Sequence, residues 1–147
     1  MTPHSRMEYL FFARTDCGRV RKNNEDAVAT APEIGLALLA DGMGGYNAGE
    51  VASNMAISIT EHAMARWFAH AGTTPTTSDV RKALQESVQE ANLAVLNTAL
   101  QQPQCAGMGT TLVAAVFVQD RLVLGHMGDS RCYRLRDGQL QQITRDH

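Results

Sequence analysis

The stretch LLADGMGGYNAGEVAS, residues 38 to 53, constrains this chain more than any other. An apolar run over 34–40 (IGLALLA) reads as a strand covered on both faces and therefore central in a sheet. It delivers Asp41, then Gly42, Gly44 and Gly45, and then a helical pattern. A carboxylate at the end of a buried strand is costly to desolvate unless donors or a cation compensate it. Gly42 clears a side chain from beside it, so that a backbone carbonyl as well as the carboxylate can approach a bound ion, and hard divalent cations take oxygen ligands of both kinds. A plain Asp-Gly hairpin turn is the competing account, although helix rather than strand follows. A phosphate-cradling loop fails on spacing, because Gly42, Gly44, Gly45 and Gly49 do not give GxGxxG and no Lys-Ser/Thr pair is present.

The rest of the pattern alternates in kind. Residues 8–14 (EYLFFAR) read as another strand. Asn47 with Glu50 has the form of a capping box, and Val51, Met55, Ile59, Ala63 and Trp67 mark one helical stripe to about residue 69. A second helix from Ser78 to about 100 carries Val80, Leu84, Val88, Ala91 and Val95. From Gly109 the period shortens to strands TTLVAAVFV, RLVLGHM, RCYRLR and QLQQI, joined by hairpins at Gln119-Asp120, Gly128-Asp129 and Asp137-Gly138. The expected fold class is α+β, with helices on one face of a mostly antiparallel sheet.

Two further acidic elements are candidates for chemistry. In RKNNEDA (21–27), Glu25 and Asp26 are adjacent, so in extended backbone they face opposite sides and at most one reaches a given metal directly; a solvated loop is the plain alternative. Arg21 suits either a surface ion pair or a pair of phosphate oxygens. Asp129, between Gly128 and Ser130, is a turn aspartate or a ligand. His126, in an apolar strand, reads as a satisfied core histidine.

Composition narrows the partners. The net charge of −2 over 147 residues gives no footprint for nucleic acid. No apolar run approaches a bilayer span and the apolar run at the start is too short for a signal peptide, so a cytoplasmic location is expected. Cys17, Cys105 and Cys132 form no CxxC pair, which argues against zinc and against a disulfide framework. Cys17 lacks a neighbouring base for nucleophilic work.

In combination the motifs are specific. Arg21-x-x-Asn24-Glu25-Asp26, Ala40-Asp41-Gly42-Met43-Gly44-Gly45, Ala48-Gly49-Glu50-Val51-Ala52-Ser53, Gly109-Thr110-Thr111-Leu112 and Gly128-Asp129-Ser130-Arg131 closely resemble the metal-dependent Ser/Thr protein phosphatases, the type 2C or PPM family, in their bacterial form. The resemblance implies a four-layer sandwich of two antiparallel β-sheets flanked by α-helices, with a binuclear Mn²⁺ or Mg²⁺ centre. Carried over by position, the resemblance implies that Asp41 would bridge both metals and the Gly42 carbonyl would bind one. It implies likewise that Glu25 and Asp26 would hold metal-bound waters, that Arg21 would grip the substrate phosphate, and that Asp129 would help to bind a third, weaker metal. The implied reaction is hydrolysis of phosphoserine and phosphothreonine proteins by a metal-activated hydroxide, and a cognate Ser/Thr kinase is a candidate partner.

Two departures qualify this. Met43 stands where animal members carry a proposed general acid, and a thioether has no proton to donate. The family's remaining metal-binding aspartates fall after the position of His147, so residues 1–147 read as the N-terminal part of a single phosphatase domain with weak or no activity alone. A catalytically inactive, phosphoprotein- or partner-binding module is the alternative. A metal-free hydrolase using Glu25 and Asp41 is a third reading, which requires a raised pKa on one acid.

Overall fold

The computed structural model describes residues 8–147; residues 1–7, part of the start in which no signal peptide is expected, lie outside the described residues. In chain order the elements are β1 (Asp26–Ala31), β2 (Leu36–Met43), α1 (Ala48–His70), α2 (Thr77–Gln101), β3 (Gly109–Thr110), β4 (Leu112–Val118), β5 (Arg121–Met127), β6 (Tyr133–Arg136) and β7 (Gln139–Gln142). The first five strands form an antiparallel sheet in the order β1-β2-β4-β5, with β3 continuing the pairing along the end of β2. β6 and β7 form a separate antiparallel pair. Two helices with two antiparallel sheets make the α+β arrangement that the motifs imply.

Both helices lie on one face of the larger sheet, α1 over β1 and β2 and α2 over β5. Alternate residues of β2 and β4 point into that layer, where Leu36, Leu38, Ala40, Leu112, Ala114 and Val116 meet Ile57, Met64, Val80 and Leu84. Small residues let α1 come down close: Ala48, Gly49, Ala52, Ser53 and Ala56 are all buried. The buried stripe is thus rotated from the expected one, and Val51 is exposed, because the first turns bury their smallest side chains and not their largest. On α2, Val80, Leu84, Ala91 and Val95 are buried as the periodicity predicts, and Val88 packs at the margin of the core.

Four further expectations are corrected. Residues 8–14 form no strand; Tyr9 and Phe11 instead set their rings against Phe117, and the Tyr9 hydroxyl donates to the Gln119 carbonyl. β2 is central, but it is covered on one face only, with Leu39 on the other 41% exposed. Asn47 makes no side-chain cap, since its Oδ1 accepts from Asn23 Nδ2 at 2.6 Å. The capping box belongs to α2, where Thr76 and Asp79 exchange side-chain-to-backbone bonds of 3.1 Å each. Finally, Gly128-Asp129 is no hairpin. β5 and β6 do not pair, and the chain crosses there from one sheet to the other.

The hairpins at Gln119-Asp120 and Asp137-Gly138 form as expected. Gln119, Asp137 and Gly138 take the positive φ such tight turns need.

Candidate active site

Asp41 does not sit in a turn. β2 runs straight through it to Met43, so the carboxylate is carried on a strand and projects from the face away from the helices. In the β1–β2 register Asp26 stands directly opposite Asp41. The strand pair itself therefore brings together two acids that are 15 positions apart in the sequence.

The glycines serve packing first. A Cβ on Gly42 would overlap the Gly49 carbonyl at the start of α1, and one on Gly49 would overlap the Glu25 carboxylate. Strand, helix start and loop meet there with no side chain between them. The Gly42 amide donates to the Glu25 carbonyl at 3.0 Å. Glu25 thus turns its carboxylate onto Gly49 while Asp26 turns toward Asp41, as adjacent residues in extended backbone must. Asn24 fixes this geometry, its Oδ1 accepting from the Asp26 amide at 3.0 Å and its Nδ2 donating to Thr15 Oγ1 at 2.7 Å.

Arg21, Glu25, Asp26, Asp41 and Gly42 line one cleft of about 480 Å³, with Asp16, Cys17 and Met43 on its other walls. Arg21 is the single cation among those lining residues, and no carboxylate among the described residues lies within ion-pair distance of it. Cys17 donates to the Arg21 carbonyl at 3.0 Å. Asp129 is exposed and does not line the cleft. Its charge still reaches Asp41.

The electrostatics converge on Asp41. Its pKa is raised above the usual 3.8, first by partial desolvation, then by the charge of Asp26 and a hydrogen bond with it, then by the charges of Asp129 and Glu25. Asp16, Glu25, Asp26 and Asp41 share the cleft with a single arginine, an excess of negative charge that a cation would relieve. The acidic side chains and the Gly42 carbonyl offer hard oxygens, which suit Mg²⁺ or Mn²⁺, and the only soft atoms among the lining residues are the sulfurs of Cys17 and Met43. Among the described residues no three Asp, Glu, His or Cys side chains converge on one ligation point. An ion here would be held by one or two carboxylates together with carbonyl oxygen and water, the usual manner of Mg²⁺ binding.

Sequence reasoning missed the support beneath Asp41. The Asp41 amide donates to Thr111 Oγ1 at 2.9 Å, and the Asp41 carbonyl accepts from the Thr111 amide at 2.9 Å and from Thr110 Oγ1 at 3.1 Å. The signal was present, since a Thr-Thr pair facing an acidic strand end supplies hydroxyl donors and acceptors to its backbone. His126 is a correction as well. It lies on the edge strand β5, partly exposed, with Nε2 2.9 Å from the Arg145 carbonyl and its ring stacked on His147, so it is no core histidine.

Comparison with known proteins agrees with this architecture. The protein phosphatase 2C family matches residues 15–147, and the chain belongs to that family. It is 44% identical over 136 residues to the serine/threonine protein phosphatase PstP of Mycobacterium tuberculosis, covering 92% of this chain and 24% of that protein. It is 38% identical over 137 residues to the serine/threonine phosphatase stp of Listeria innocua, covering 91% of this chain and 53% of that one. A crystal structure of the PstP catalytic domain in complex with two manganese ions superposes with a TM-score of 0.78 at 44% identity, covering 90% of this chain and 54% of that one. The chain thus spans from about a quarter to about half the length of these relatives. Among the described residues no helix is long and apolar enough to cross a membrane.

Proposed function

We propose that this chain carries the phosphate-gripping and metal-bridging side of a metal-dependent protein-serine/threonine phosphatase site, acting on phosphoserine and phosphothreonine proteins. The observation that carries the reading is the register pairing of Asp26 with Asp41 at a cleft that Glu25 and Arg21 also line. The two manganese ions in the PstP catalytic domain support a binuclear Mn²⁺ or Mg²⁺ centre. Asp41, the Gly42 carbonyl, Glu25 and Asp26 would hold those ions directly or through water, and Asp129 would help with a third.

When bound, such cations activate water for in-line attack and neutralise charge on the phosphoryl oxygens. Arg21 orients the phosphate through paired N–H donors. Asp26, fixed by Asn24, sets the negative field opposite Asp41, and Glu25 is locked over Gly49. Met43, 57% exposed in the cleft wall, has no proton to give the leaving alkoxide. Residues 1–147 read as the N-terminal part of a single phosphatase domain, in a cytoplasmic protein whose substrates a Ser/Thr kinase phosphorylates. Turnover by this chain alone is expected to be weak, because among the described residues no three such side chains share one ligation point.

The test combines Mn²⁺ titration with phosphate release from a phosphothreonine peptide. We expect Mn²⁺ binding that Asp41→Asn removes, and slow hydrolysis that a chelator abolishes. Hydrolysis that survives the chelator would replace this reading with a carboxylate-only mechanism. The lack of a three-residue ligand cluster among the described residues also favours a second reading, a phosphatase-like binding module. Peptide binding through Arg21 without any Mn²⁺ affinity would establish that one instead.

A further inference from the structure

Beneath Asp41 lies a pair of hydroxyls to which the phosphatase reading gives no task. The pairings Leu39–Val113 and Gly42–Thr110 keep one register, which sets Asp41 opposite Thr111. In an undisturbed antiparallel ladder the two residues would exchange two backbone bonds. Only one forms, from the Thr111 amide to the Asp41 carbonyl; the Asp41 amide goes instead to the Thr111 hydroxyl at 2.9 Å. Thr111 is 4% exposed, so its hydroxyl depends on partners within the protein.

The Thr111 hydroxyl is itself held. Ser130 Oγ lies 2.6 Å from it, a short contact between two hydroxyls of which one donates. Ser130 belongs to the crossover that carries Asp129, and that crossover is moulded on the same threonine. At Gly128, whose φ is +93°, an added Cβ would come within 2.7 Å of Thr111 Cγ2. Two acids 88 positions apart therefore hang on one side chain, Asp41 through its amide and Asp129 through its neighbours Gly128 and Ser130.

We infer that Thr111 and Ser130 are positioning residues that set the placement of the Asp41 strand relative to the Asp129 crossover, and through it the affinity of the site for divalent cations. The inference rests on the proposed phosphatase reading, in that Asp41 must be a ligand for the second effect to be seen. Neither residue lines the cleft. The hydroxyl is the essential part: serine at 111 keeps it, and valine keeps the shape without it. Outer groups that orient ligands typically change metal affinity by tenfold or more when removed.

The experiment uses the full chain with wild type, Thr111→Ser, Thr111→Val, Ser130→Ala and Asp41→Asn. Mn²⁺ affinity is read by electron paramagnetic resonance of free Mn²⁺, and the metal-free protein is read by amide hydrogen exchange at position 41 and by melting temperature. We expect Thr111→Val and Ser130→Ala to weaken Mn²⁺ binding about tenfold and to speed exchange of the Asp41 amide, with Thr111→Ser close to wild type in both. Loss of melting temperature with unchanged Mn²⁺ affinity and unchanged Asp41 exchange would overturn the inference, leaving the pair a role in stability only. Should Thr111→Val fail to fold, Ser130→Ala against Thr111→Ser decides by the same two readouts. A wild type that binds Mn²⁺ no better than Asp41→Asn would sink the phosphatase reading itself, while the exchange data would still report whether the hydroxyl pair holds the strand.

Discussion

Thr60 shows what single side chains contribute away from the cleft. It is fully buried on α1, and its hydroxyl has no hydrogen-bond partner among the described residues. An unsatisfied buried hydroxyl carries the full penalty of its desolvation, whereas an isosteric methyl carries none. Thr60→Val is expected to stabilise the protein by about 1 kcal/mol, seen as a rise of a few degrees in melting temperature; a fall would mean that a buried water satisfies the hydroxyl. At this scale the acids themselves were legible, because Asp41, Asp26 and Glu25 stand in short motifs. What could not be read was the direction of the support. Thr111 and Ser130 are 19 positions apart, and only the sheet register and the crossover bring their hydroxyls together.

Two elements are secured at their ends by different means. α2 begins with a reciprocal cap in which Thr76 Oγ1 also donates to Asp79 Oδ2 at 2.6 Å. Hydrogen bonds from the Thr76 hydroxyl, and then from its amide, hold the Asp79 carboxyl below the usual 3.8. Its folded value is thus lower than its unfolded one. The contribution is complete above the unfolded value and is lost as pH falls through the folded one. Thr76→Ala is expected to cost about 1 kcal/mol near neutrality and to flatten the acid limb of a stability-against-pH curve below about pH 4. A mutant curve parallel to wild type would show that the cap carries no linkage. α1 lacks such a cap and is fixed by contact. A methyl at Gly42 would meet the backbone carbonyl of Gly49, which cannot rotate aside, so Gly42→Ala is expected to cost about 2–3 kcal/mol, measured as a lower urea midpoint. The sequence showed where both helices run, because each is long and periodic. It concealed the α1 face, since alanine, glycine and serine at the helix start carry little hydrophobic signal and were passed over in favour of Val51.

The molecule as a whole is a one-sided structure in its described residues, with helices on one face of the main sheet and aromatic contacts from the segment near Tyr9 on part of the other. The layer order was legible from the change of period at Gly109. The strand over 26–31 was not, because DAVATA is short, small and weakly patterned, and it forms only by pairing with β2. Residues 8–14 misled for the opposite reason, as an aromatic-rich run can satisfy its apolar surface by lying on a sheet face without joining a ladder. The junction of Glu25, Gly42 and Gly49 carries one more consequence. Three stretches of chain share a volume that admits only hydrogens at two of the three positions, so mutations there are epistatic. A saturation library at position 49, sorted for folded protein, should return glycine almost alone in the parental background, and should admit alanine more readily once Glu25 is shortened to aspartate. Equal tolerance in both backgrounds would mean that the backbone spreads more easily than the contacts suggest.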